Sequence, residues 1–347
     1  MKKRIFSIAM LAILLTLPVF ASTTSGTSAG SAWMSLGLGA GAVGMGLVSL
    51  GTLASLQKSF NAIYNETLAA MPPNWPNYAM EVGSTGAAED YQWLGDTPAM
   101  REWLGDKFVK EVGGFHYTVP NKSWEVTIGV KRDDIDDDRL GMYRPKIAQL
   151  AEEGVVKQDS LLSELREAGT GIVIYDGKSF YAANHQTGKS GAQSNLLAGT
   201  GVAIDKITAD FRSARAAMRK FKTDQGKPFI RQAGKLKFHI TCPPDLEGMF
   251  ELLSVATTIA QTDNVLKGAF TYSVDMNLTD TIDWYLDYVG SAIRPFVMQM
   301  RDRPHLVALD QPTSETVFTR GEFQYSTEGR FNAAFGLWPY SIKINNA

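Results

Sequence analysis

The chain has one cysteine, Cys242, and only four histidines, His116, His185, His239 and His305. A single cysteine excludes an internal disulfide framework and fits a reducing compartment. No two of the histidines stand at ligand spacing, which argues against a histidine metal site. Charge of either sign is nearly cancelled, with 34 Lys and Arg against 36 Asp and Glu, so no global field draws the chain to nucleic acid or anionic lipid. Intact catalytic motifs are scarce too. Thr187-Gly188-Lys189-Ser190 ends like a phosphate-binding loop, but Ala183 stands where that motif needs glycine. Gly39-Ala40-Gly41-Ala42-Val43-Gly44 spells a dinucleotide fingerprint without a strand before it or an acidic residue at ribose-binding distance after it. His239 and Cys242 are close, yet odd and even strand positions face opposite ways, so Cys242 reads as a core thiol. Five aspartates at Asp133, Asp134, Asp136, Asp137 and Asp138 lack the glycine and closing glutamate of a calcium loop and read as a solvated turn before a helix. The residues offer no catalytic, cofactor or metal site.

The composition that remains is globular: 44% hydrophobic, 20% charged, and 347 residues long, enough for two or three compact units. The N-terminus stands apart. Lys2, Lys3 and Arg4 precede an apolar run from Ile5 to Phe20 and small residues around Ala21, the pattern of a bacterial secretory signal. No charged residue follows until Lys58. Residues 1–44 therefore form a signal-like, low-complexity leader, either a real export signal or a spuriously translated stretch. On the leader alone, the chain would be a secreted or envelope-associated binding protein.

Beyond it, Trp93-Leu94-Gly95-Asp96 returns as Trp103-Leu104-Gly105-Asp106 around a short helix capped by Thr97 and Pro98, a packing clamp. Val112, Phe115, Tyr117 and Val119, then Pro120-Asn121-Lys122-Ser123, then Trp124, Val126, Ile128 and Val130 predict a long β-hairpin. Such a ribbon has no core of its own and needs another surface to lean on. A helix in two pieces is predicted over 142–168, the second capped by Asp159, followed by a hairpin on Asp176-Gly177. A helix capped by Thr208 carries Phe211, Ala214, Met218 and Phe221 inside and Arg212, Arg215, Arg219, Lys220 and Lys222 outside, a solvated basic face. A strand with Leu236, Phe238, Ile240 and Cys242 runs into a helix whose stripe is Leu246, Met249, Phe250 and Leu253. Strands are expected at Trp284–Val289, Phe296–Met300 and Thr316–Tyr325. Helices and strands mix without a βαβ rhythm, so the class is α+β.

Several blocks occur in an order that carries a family likeness: "SLQKSFNAIYNETL", "EDYQWLGDTPAMREWLGDKFVKEV", "YTVPNKSWEVTIGVKRDDIDDD", "GMYRPKI", "YDGKSFYAANH", "ARAAMRKFKTDQGKPF", "DNVLKGAF" and "RGEFQYSTEGRFNAAFGLWPY". Together they resemble the major head subunit of Mu-type tailed phages, the gpT family. The resemblance implies a Hong Kong 97-like capsid fold and a structural, non-catalytic role with no cofactor. It implies an N-terminal arm over 45–89 and a peripheral domain over 90–204, with an extended loop at 109–131 and a spine helix at 142–168. An axial domain over 205–290 and a return to the peripheral domain over 291–347 complete it. The extended loop would place Phe115, Tyr117, Lys122, Trp124, Val126 and Ile128 on a neighbouring subunit. Implied partners are further copies in hexamers and pentamers, a scaffold or protease, portal and decoration proteins, and packaged double-stranded DNA by weak non-specific contact. No membrane is implied for the mature subunit, which would sit in the virion after assembly in the host cytoplasm. If the leader is not part of that subunit, intact-mass measurement of assembled particles is expected to find chains lacking residues 1–44. A retained leader, or a chain cut after Ala21 accumulating in the periplasm, would favour export instead.

Overall fold

The computed structural model describes residues 50–91, 117–137, 139–259 and 261–346. The repeated Trp-Leu-Gly-Asp words, Val112 and Phe115 lie outside them. Helix α1 (Leu50–Ala70) buries Leu53, Leu56, Phe60 and Tyr64, which recur at three- and four-residue steps, against α3 (Arg144–Glu167). The stretch expected to be an arm is thus part of the subunit's own core. Strand β1 (Ala79–Gly83) runs parallel to β11 (Phe296–Leu309), which is antiparallel to β12 (Glu322–Phe335), itself antiparallel to β4 (Lys122–Lys131). At 14 residues each, β11 and β12 make a ribbon of about 45 Å. Strands β2 (Ala88–Asp90) and β3 (Thr118–Pro120) pair with each other.

Among the described residues, the second strand of the hairpin read from the sequence pairs with β12. Register places Trp124 opposite Gly329, Val126 opposite Thr327 and Ile128 opposite Tyr325. Strand β12 supplies the ladder partner that β3, only three residues long, cannot. The aspartate run forms α2 (Arg132–Asp136), with ion pairs from Arg132 to Asp136 and from Arg139 to Asp134 and Asp137. Helix α3 is one piece of 24 residues, about 36 Å long. Gly154 does not interrupt it but lets it approach the ribbon, since a Cβ there would lie 2.9 Å from the Pro304 Cβ. Asp159 caps a different element. Its carboxylate accepts the backbone N–H groups of Asn74 and Trp75, where a single 3-10 turn begins.

The second sheet has the order β5 (Leu196–Ala198), β13 (Ser341–Asn345), β10 (Trp284–Tyr288), β6 (Phe238–Cys242), β9 (Thr271–Val274). The chain's last strand therefore enters this sheet rather than returning wholly to the first. Helices α4 (Ile204–Lys220) and α5 (Glu247–Val255) pack on it. Helix α4 begins four residues before Thr208, whose hydroxyl bonds back to the Ile204 carbonyl inside the helix. Leu246, Phe250 and Leu253 are buried as expected, but Met249 faces outward. A two-stranded turn, β7 (Thr258–Ile259) and β8 (Thr262–Asp263), follows. The Asp176-Gly177 turn forms with Gly177 at φ 75° and a Val173–Ser179 bridge. The stretch read as a strand from Thr316 begins with α6 (Glu315–Arg320), closed by Gly321 at φ 65°, before β12 starts.

Every residue of β10 is buried, because both faces are covered. Trp284 packs on Phe250 of α5, whereas Tyr285 and Asp287 turn to the end of α3. There Arg166 meets Asp287 at 2.9 Å, both side chains fully buried. The guanidinium lies 4.5 Å from the Tyr78 and Phe296 rings and 4.9 Å from Tyr285. Asp287 also accepts from Ser341 Oγ at 2.6 Å, and Tyr181 meets that hydroxyl at 2.9 Å. Burial pushes the Asp287 carboxyl above its ordinary range, and the Arg166 charge pulls it back. Arg166→Met is expected to cost about 3–5 kcal/mol in urea unfolding, because it strands a buried carboxylate. The double variant Arg166→Met, Asp287→Leu should recover most of that loss; a double variant as unstable as the single would show that the cage, not the charge, is decisive.

Candidate assembly surfaces

Of the six residues expected to reach a neighbour, five are among the described residues and four of those lean on their own subunit. Trp124 Nε1–H donates to the Phe331 carbonyl at 3.0 Å, and Lys157 Nζ stands 4.4 Å above its indole. A cavity of about 140 Å³ opens beside it between α3 and the ribbon, walled by Val126, Gly154, Pro304 and Thr327. Val126 and Ile128 pack on the smaller core with Phe323 and Tyr325, and Tyr117 packs on the larger one near Tyr91. Lys122, at the start of β4, is the exposed one. Beyond β4 no strand continues the first sheet among the described residues, so one edge of this ten-residue strand is unpaired by them.

Large apolar groups do face outward, at places the sequence did not mark. Phe318 on α6 is 90% exposed, Met276 85% and Val265 70%. Phe318 was hidden from a sequence reading because its stretch resembles a strand, where alternate residues face inward. Leu252 and Val255 extend the apolar surface of α5 beyond its core stripe and are exposed as well.

Three side chains that the sequence offers for chemistry, His185, His239 and Cys242, are buried. On β6 the His239 ring meets Thr271 Oγ1 and Ser273 Oγ at 2.9 Å each, and burial, aided by Arg166 and Arg294, pushes its pKa down to about 3. Burial pushes the Cys242 thiol up to about 12, with Glu247 and Asp275 adding to the effect, so the thiolate is unavailable. His185 Nδ1 lies 2.6 Å from Asp176 Oδ2, but its Nε2 faces Asn195 Oδ1 at 3.2 Å rather than a nucleophile, and its ring stacks on Trp338. Thr187–Ser190 forms a turn with Lys189 N–H bonded to the Asp224 carbonyl; no strand leads into it and no helix leaves it. The buried neutral imidazole of His239 has a thermodynamic consequence. Below pH 6.5 the unfolded chain takes a proton there that the folded chain refuses down to about pH 3, so stability falls as pH drops through that window. Between pH 7 and 5 this amounts to about 2 kcal/mol, at about 1.4 kcal/mol per unit. Urea unfolding of His239→Gln should show a pH slope shallower by one proton; equal slopes in the two proteins would mean that folded His239 binds the proton.

Comparison with known proteins gives these surfaces a context. The family model described as Mu-like prophage major head subunit gpT matches residues 53–204 and 271–346. Two of the blocks that carried the resemblance, at 214–229 and 263–270, fall in the stretch it leaves unmatched. The major capsid protein of Escherichia phage Mu is 22% identical over 298 residues, covering 86% of this chain and 75% of that protein. The Mu-like prophage FluMu major head subunit of Haemophilus influenzae is 23% identical over 279 residues, covering 80% and 68%. The fold is that of a subunit in the procapsid of bacteriophage JBD30, with a TM-score of 0.56 at 23% identity over 86% of this chain and 77% of that one. A virus-like particle from Pyrococcus furiosus shares it at a TM-score of 0.51 and 11% identity, over 86% of this chain and all of that one. Matched by the family model over more than half its length and sharing a capsid fold, the chain belongs to the Mu-like prophage major head subunit gpT family.

Proposed function

We propose that this head subunit assembles with copies of itself into hexamers and pentamers of a closed icosahedral shell around double-stranded DNA, without catalysing a reaction. Membership of the major head subunit family carries the reading. Two buried groups fit it: the Cys242 thiol is held protonated, and the His239 imidazole, with its pKa pushed down to about 3, is too weak a base to take a proton near neutral pH. Assembly would take place in the host cytoplasm, with scaffold or protease, portal and decoration proteins as further partners of the shell. Identical contacts repeated with closing symmetry give a finite particle, and obligate contacts of this kind bury about 2,000 Å² or more.

Within that reading, the start of β4 is the contact we assign to a neighbour. Lys122 projects into solvent beside a strand edge that no described strand pairs, while Trp124, Val126 and Ile128 anchor the strand to its own subunit. Phe115 precedes it in the segment assigned to the same contact, whereas Tyr117 packs on its own subunit. The cross-subunit role thus narrows from the six residues to the segment leading into Trp124.

Electron microscopy and sedimentation of the purified full-length protein are expected to show closed shells. Dispersed monomers at every concentration, or a chain recovered on the cell envelope, would support the binding-protein alternative. Lys122→Glu should change subunit stability by no more than about 0.5 kcal/mol, as surface substitutions do, yet reduce the yield of shells. An undiminished yield would remove Lys122 from the interface.

A further inference from the structure

The chain's positive charge is concentrated in one place. Residues 212–237 hold nine of its 34 basic residues and one of its 36 acidic ones, leaving 25 basic against 35 acidic elsewhere. That segment lies wholly within the stretch 205–270 that the family model leaves unmatched. Its first part is the outer side of α4. Ile207, Phe211, Ala214 and Met218 face the sheet, whereas Arg212, Arg219 and Lys220 point to solvent, with Arg215 half-buried over the Phe211 ring. The second part folds back against the first. Lys222 and Pro228 form a bridge that exposes Lys222 and Lys227. The Arg219 guanidinium donates to the Gly234 carbonyl at 3.0 Å, which brings the exposed Arg231, Lys235 and Lys237 alongside the helix. Lys189, the lysine of the incomplete phosphate-loop motif, joins the same surface: its backbone N–H donates to the Asp224 carbonyl at 2.7 Å.

We propose that this face, centred on Arg212, Arg219, Lys220 and Lys222, is the surface through which the subunit contacts the phosphates of double-stranded DNA. The inference rests on the reading of the chain as a shell subunit, and enclosure of the DNA then puts the face on the inner wall. Two features favour a duplex over other polyanions. Large apolar side chains are buried or half-buried throughout 212–237, so the face lacks the aromatic and aliphatic core that a protein partner would cover. The segment's aromatic residues, Phe221 and Phe229, pack on Trp338 and Tyr340, so none offers a platform on which single-stranded bases would stack. Among the described residues, no carboxylate pairs with any of the four central cations. Phosphates would therefore displace counterions rather than carboxylates from them, a contact that is sequence-independent and weakened by salt.

The test uses full-length subunits before assembly, a labelled random-sequence DNA duplex, and fluorescence anisotropy in low and physiological salt. The variant carries Arg212→Gln, Arg219→Gln, Lys220→Gln and Lys222→Gln; circular dichroism and melting temperature check its fold. If it does not fold, the pair Lys220→Gln and Lys222→Gln replaces it. The native protein should bind the duplex with a steep loss of affinity as salt rises. The four-site variant should bind at least about tenfold more weakly at low salt, with a salt slope smaller by about 3–4, or 0.9 per lost phosphate contact. It should still form shells, while the control Lys58→Gln, Lys146→Gln should bind as the native protein does. Unchanged duplex binding by the four-site variant overturns the proposal. So does a native protein that ignores the duplex but captures polyglutamate, which would mark an acidic protein partner. Closed shells that still bind added duplex would put the face outside and overturn the inner-wall assignment. A native protein that binds the duplex yet never forms shells would defeat the shell reading and leave the DNA contact standing.

Discussion

The subunit is organised around a buried charge pair. Arg166, on the last turn of α3, reaches Asp287 in the middle strands of the second sheet, and neither side chain touches solvent. Removing two ions from water costs several kcal/mol each, so the pair holds only where other interactions complete it. Here three aromatic rings surround the guanidinium, and Ser341 satisfies the second carboxylate oxygen. Among the described residues, the guanidinium's Nε and Nη1 find no hydrogen-bond partner, and ring faces lie beside them. Rotation of α3 by a few residues would unmake every one of these contacts. The pair thus sets the register between the long helix and the sheet that contains the chain's last strand.

From that joint the rest follows in two directions. Along α3 away from Arg166, the helix lies on the β11–β12 ribbon through Gly154 and receives α1 on its other side, forming the smaller core. Across β10, the second sheet buries its far face under α4 and α5. What remains for solvent differs between these parts: Phe318 at one end, a basic helix face and exposed Val255 and Met276 at the other. A shell subunit needs such unlike surfaces, because each must meet a different neighbour while the core beneath stays rigid. His239 and Cys242 are held in their neutral forms by the same desolvation that makes the core stable.

Much of the local structure and the family were legible in the residues. Amphipathic spacing marked the buried face of α4, the Asp176-Gly177 turn marked its hairpin, and the ordered sequence blocks marked a phage head subunit. Local signals misled where a partner lay far along the chain. Asp159 has the form of a helix cap, and it is one, but for a turn that begins 85 residues earlier at Asn74. The strand from Lys122 to Lys131 carries a correct alternation, yet period two cannot say which strand lies beside it.

By itself, then, the sequence determined the α+β class, the buried face of α4, the inertness of Cys242 and the concentration of positive charge at 212–237. Those properties follow from spacing and composition within a few turns of chain. Only the tertiary structure decided that β12 rather than β3 pairs with β4, that residues 341–345 enter the second sheet, and that Trp124, Val126 and Ile128 serve their own subunit before any neighbour. Those outcomes depend on pairings between residues 54 to 209 positions apart, from Asp287 with Ser341 to Lys122 with Phe331, which local spacing does not encode.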